Sequence, residues 1–162
     1  MAIRSYSCAL SHKILSSSNQ PAAEPLLVLH GLLGNKMNWR SMFNKKGPLA
    51  DLKRDVYAVD LRNHGESPHM SDTSYAGMAK DLVRFLDEQD IQSCAVLGHS
   101  MGGKTAMQLA LSAPSRVTKL VVCDIAPVQY RRDGPGSFPN LFDAMQVLSF
   151  VVLPQLPAAG HL

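Results

Sequence analysis

Cys94-Ala95-Val96-Leu97-Gly98-His99-Ser100-Met101-Gly102-Gly103 runs straight into Lys104-Thr105-Ala106-Met107-Gln108-Leu109-Ala110-Leu111. A short apolar run of strand character meets glycines on both sides of one serine, and a segment with helical apolar spacing follows at once. The local expectation is strand, tight turn, helix, with Ser100 at the turn. Gly98-x-Ser100-x-Gly102 fits a nucleophile elbow, in which a strained serine is presented at the strand end and small neighbours let strand and helix approach closely. The helix N-terminus would favour negative charge beside Ser100.

The same residues satisfy two other patterns. Gly98-x-x-x-x-Gly103-Lys104-Thr105 matches a P-loop, whose backbone amides would cradle phosphates while Lys104 and Thr105 met phosphate and magnesium. Asp124, at the end of Leu120-Val121-Val122-Cys123, would then serve on the magnesium side. The third reading is a strand–helix junction whose glycines serve packing alone.

Composition narrows the class. The chain has 162 residues, 46% hydrophobic and 18% charged, with a net charge of +3. That supports one folded domain with a core, and it points to no nucleic-acid partner. Cys8, Cys94 and Cys123 are few and odd in number, so neither a disulfide scaffold nor a zinc site is expected, and no cofactor-binding set stands out. No apolar run approaches the roughly 18 residues that a membrane-spanning helix needs. Residues 1–9 hold one arginine, two serines and no acid, a weak organelle-targeting composition that an ordinary chain terminus matches equally well.

Upstream, Pro25-Leu26-Leu27-Val28-Leu29 is a continuous apolar run, as expected of a strand buried on both faces of a parallel sheet. It ends in His30-Gly31-Leu32-Leu33-Gly34. In a serine hydrolase the loop after such a strand contributes one backbone amide to the oxyanion hole, so the amides of Leu32 and Met101 are the expected pair. His30 reads as a hydrogen-bonded, loop-shaping histidine. Leu10–Leu15 is a first strand, Trp39–Leu52 a broken helix over the sheet, and Asp55–Asp60 another strand. Asp60, Arg62 and His64 in the loop beyond it look like a chemical cluster, but loop support is the expected role. Ser74–Gln89 reads as a helix whose Met78, Leu82, Phe85 and Leu86 share one face, with a cap from the 71–74 region. Val117–Cys123 is expected to be one more buried strand, and Asn140–Leu148 the start of a further helix. Strands alternating with helices predict a mostly parallel α/β sheet flanked by helices.

His30-Gly31-Leu32-Leu33-Gly34, Asp60-Leu61-Arg62-Asn63-His64-Gly65-Glu66-Ser67 and Gly98-His99-Ser100-Met101-Gly102-Gly103-Lys104-Thr105-Ala106-Met107, in that order and spacing, resemble the α/β-hydrolase superfamily. Within it they are most similar to the alpha/beta hydrolase domain-containing protein eleven group and its bacterial esterase relatives. The resemblance covers about residues 10–148, with Asp124-Ile125-Ala126-Pro127-Val128 also similar. It implies a serine ester hydrolase acting on small acyl esters or acylglycerols, diacylglycerol among those of the animal members, and the mitochondrial association of those members, with a cytoplasmic location as the alternative. It also weighs against the P-loop, because a Walker motif normally follows the first strand of its fold. By its place after Ser100 and at a strand end, Asp124 is the candidate acid in the order serine, acid, histidine; a structural Asp124 capping the next loop stands beside that reading.

The organisation expected is a tail at 1–9, the N-terminal part of an α/β-hydrolase domain at 10–148 and a divergent tail at 149–162, the sheet stopping after the strand near 117–123. A whole domain of this kind takes roughly 200 to 250 residues. Of His12, His30, His64, His69, His99 and His161, only His161 follows Ser100. The expectation is therefore a weakly active or inactive short form, with a non-catalytic binding isoform as the alternative.

Overall fold

A computed structural model of the chain describes residues 7–17 and 23–128. The elements in order are strand β1 (His12–Ser16), strand β2 (Leu26–Leu29), a 3-10 turn (Lys36–Trp39) leading into helix α1 (Arg40–Phe43), strand β3 (Val56–Val59), helix α2 (Tyr75–Glu88), strand β4 (Cys94–His99), helix α3 (Met101–Ser112), a second 3-10 turn (Pro114–Arg116) and strand β5 (Val117–Cys123). All fall in the unit Met1–Pro127. The expected Asn140–Leu148 helix and the expected tail at 149–162 lie outside the described residues.

The five strands form one sheet in the order β1-β3-β2-β4-β5. β3, β2, β4 and β5 are mutually parallel, as expected, and β1 runs antiparallel to β3. Only residues 17–25 separate β1 from β2. That is too short for the crossover a parallel pair requires, so the chain reverses.

β2 shows why its apolar run is continuous. Leu27 and Leu29 pack into one cluster with Val59, Met78, Leu82, Phe85, Ala106 and Leu109, on the side of α2 and α3. Val28 packs into a second cluster with Phe43, Val56 and Ala58. A strand covered on both faces has no polar side to display. α2 buries Met78, Leu82, Phe85 and Leu86, the four residues its periodicity selects, and the Ser74 hydroxyl accepts from the Gly77 amide as the N-cap. The broken helix over 39–52 resolves into the first 3-10 turn, α1 and the turns after it.

Two expectations change. β5 is not a buried strand: it is the outermost strand of the described sheet, with Leu120 39% and Val121 49% exposed. A continuous apolar run announces burial on both faces only where neighbours flank the strand, and β5 pairs with β4 alone among the described residues. Cys8, inside the expected 1–9 tail, is buried, and its amide donates to Asp81 Oδ1 at 2.6 Å.

Candidate active site

Parallel strands deliver their loops to one end of the sheet, where the residues after β2, β4 and β5 meet. Ser100 follows β4 directly, with φ 52° and ψ −116°, and α3 begins at the next residue. Its amide donates to Cys123 O at 2.9 Å, and its carbonyl accepts from the Lys104 amide at 3.1 Å as the first bond of α3. A side chain on Gly98 would collide with the Gly102 carbonyl, and one on Gly102 would stand 2.5 Å from His30 O. Both glycines therefore let strand, helix and the β2 loop crowd around the serine. Packing does not account for Ser100 itself, a serine held at positive φ at the point where the chain turns.

The loop after β2 closes over this turn. Gly34 donates its amide to Gly31 O at 3.1 Å. A β-carbon built on Gly31 would lie 3.4 Å from Ser100 Cβ and 2.8 Å from His99 Nδ1, so the loop backbone stands in contact with the nucleophile position. The amides of Leu32 and Met101 have no hydrogen-bond partner among the described residues. Met101 is the first residue of α3, where helical amides lack an internal acceptor by construction.

His30 supports the loop from beneath. It is buried; its Nε2 accepts from the Leu61 amide at 3.0 Å, which places the ring proton on Nδ1, 2.7 Å from Gly31 O. Burial pushes its imidazole below the ordinary 6.5, against the smaller opposing pull of the Gly31 carbonyl. The folded chain thus binds this proton less readily than the unfolded chain. The stability His30 contributes is fully present above pH 6.5 and is lost as pH falls from there through the lower folded value. Melting temperature is accordingly expected to fall as the pH is lowered below 6.5, and His30→Asn should flatten that slope. An unchanged slope in the variant refutes the assignment.

The Asp60, Arg62 and His64 cluster is loop support, as expected. Buried Asp60 accepts from the Lys36 amide and Lys36 Nζ, each at 2.6 Å, and from the Glu66 amide at 2.9 Å. Burial alone would raise its carboxyl; these bonds outweigh that and hold it below the usual carboxylate range. Arg62, also buried, forks onto Asp81 at 2.6 and 2.8 Å, and it reaches Asp72 and Gly77 O as well. His64 turns its Nδ1 to Arg62 O at 3.0 Å. Sequence reasoning missed Lys36 and Asp81, and it offered Asp72 only as a possible cap of α2. The signal for Asp81 was present, since a charge three residues after Met78 and four before Phe85 sits on the buried face of α2 and calls for a cation.

Asp124 follows β5 with φ 56° and a side chain 88% exposed, and its Oδ2 lies 3.6 Å from His99 Nε2. The structure thus sets Ser100 and Met101 at one turn with the backbone of Gly31, the residue before Leu32, close against it, and it sets Asp124 at the neighbouring strand end beside His99. His161 is outside the described residues. A shallow groove of about 490 Å³ lined by Lys80, Arg84 and Ala113 lies along α2 and the end of α3, and it includes none of the site residues.

The P-loop reading fails on this geometry. Gly102 and Gly103 are already helical, so no loop of free amides precedes α3. Thr105 is buried, its hydroxyl directed at Met101 O at 3.0 Å and at Met78 Sδ at 3.3 Å. It cannot meet a magnesium ion.

A serine at a strained strand–helix turn, facing a glycine loop at the carboxyl ends of parallel strands, defines the α/β-hydrolase class. The chain belongs to the family described as alpha/beta hydrolase fold, whose profile matches residues 24–157. It is 47% identical over 136 residues to sn-1-specific diacylglycerol lipase ABHD11 of Mus musculus, covering 83% of this chain and 42% of that protein. It is 43% identical over 124 residues to esterase YbfF of Escherichia coli (strain K12), covering 75% of this chain and 46% of that one. Among solved structures, a marine microorganism esterase superposes with a TM-score of 0.72 at 39% identity, over 90% of this chain and 52% of the other. The chain spans less than half the length of the two curated relatives it matches here.

Proposed function

We propose that the chain carries the nucleophile and oxyanion parts of a serine carboxylic-ester hydrolase for acyl esters of the diacylglycerol type. Ser100 Oγ attacks the ester carbonyl carbon while its proton passes to a histidine base. The amides of Leu32 and Met101 hold the oxyanion, and the C–O bond to the alcohol breaks as the base returns the proton to the leaving oxygen. Water then hydrolyses the acyl-serine by the same steps. Asp124, at the end of the next strand, is the acid that orients the base. The observation that carries the proposal is Ser100 held at φ 52° at the head of α3, with the Gly31 backbone close against it. The relatives named above support the ester chemistry and, for the mouse protein, a diacylglycerol substrate.

The test is covalent capture. Folded protein treated with an alkyl fluorophosphonate is expected to gain one adduct, located by peptide mass spectrometry on the Ser100 peptide. Folded protein that stays unlabelled would overturn the hydrolase reading in favour of the non-catalytic binding form.

A further inference from the structure

Leu33 breaks two local rules at once. It is the third residue of the turn closed by the Gly34 amide on Gly31 O, and its φ is 60°. A four-residue turn with positive φ at that position takes glycine or asparagine, because a branched apolar side chain gains nothing there and crowds the backbone. The other non-glycine residues at positive φ among the described ones are Asn63, Asp90, Ser100 and Asp124. Each of those is small and polar, and Leu33 is the exception. It is also 65% exposed, and the preceding Leu32 is 36% exposed. Neither backbone preference nor core packing explains a leucine here. Its position does suggest a role: the turn starts at Gly31, in contact with Ser100, and two residues of chain carry Leu33 Cα no more than about 7 Å farther.

We infer that Leu33, with Leu32 beside it, is a specificity-determining contact for the apolar chain of the ester, lying against the acyl or alkyl segment next to the scissile carbonyl. The inference rests on the serine-hydrolase reading and adds to it a preference for long over short chains. A strained residue kept at a catalytic turn is where local stability is expected to yield to function.

The experiment compares the rates at which Ser100 is captured by a dodecyl fluorophosphonate and by an ethyl fluorophosphonate, in the wild type and in Leu33→Gly, Leu33→Asn and Leu33→Met. The glycine and asparagine variants suit the backbone and lack the apolar contact. Their melting temperature is expected to stay level or rise, while the long-to-short rate ratio falls by about tenfold, the scale of one buried leucine side chain. Leu33→Met should keep the ratio. An unchanged ratio, an equal slowing of both reagents, or a fall in melting temperature in the glycine variant each overturns the inference while leaving Ser100 as nucleophile. Folded wild type captured by neither reagent overturns the serine reading and this inference with it.

Discussion

Ser100→Ala is expected to abolish fluorophosphonate capture and, in a chain that also supplies the histidine base, to lower ester turnover by about four orders of magnitude or more, the scale of losing a nucleophile that works as part of a unit. The fold should survive the change. The Ser100 amide and carbonyl hold Cys123 and Lys104 through backbone atoms, which alanine retains. Ser100→Gly separates the two consequences of this position. Glycine accepts φ 52° without crowding its carbonyl, so that variant should be as inactive as alanine and melt higher than the wild type. Chain melting followed by circular dichroism, alongside labelling, checks both. An alanine variant that still forms the adduct would remove Ser100 from the mechanism.

The second large effect concerns stability. Asp81→Ala is expected to cost about 3–5 kcal/mol, a large share of the roughly 5–15 kcal/mol that holds a domain together. It strips buried Arg62 of its two short bonds and leaves the Cys8 amide without its acceptor. Asp72 is only a partial substitute, at 3.1 Å and partly exposed. Taking a charge pair out of water gains little over an apolar pair, whereas leaving one partner alone is expensive. The double replacement Arg62→Met with Asp81→Leu should therefore recover much of the loss. Urea unfolding of the wild type and these two variants decides it: a loss under about 1 kcal/mol in Asp81→Ala would show that Arg62 is satisfied without Asp81.

The sequence was most readable where spacing alone dictates structure. The face of α2 follows from the positions of Met78, Leu82, Phe85 and Leu86, and the strand–turn–helix at Ser100 follows from two glycines around one serine. The double burial of Leu27, Val28 and Leu29 was legible for the same reason. What spacing does not carry is which strands are neighbours. The exposure of Leu120 and Val121 depends on β5 lying outermost among the described strands, and the direction of β1 depends on the loop before β2. Long-range polar pairs were invisible for a related reason. Lys36 meets Asp60 across 24 positions and Cys8 meets Asp81 across 73, and no local pattern links such residues. The P-loop pattern was satisfied letter by letter, but it failed because Gly98 lies in β4 while Gly103 and Thr105 lie in α3, which leaves no loop of free amides between them and turns the threonine hydroxyl onto Met101 O.

The hydrogen bond from the Ser100 amide to Cys123 O joins the strand–helix turn to the last residue of β5. The turn is therefore tied to the opening of a strand that, among the described residues, pairs on one side only. When the end of β5 peels away, the amide proton of Ser100 becomes available to solvent deuterium and the backbone twist loses one of its anchors, even while β2 and β4 remain paired.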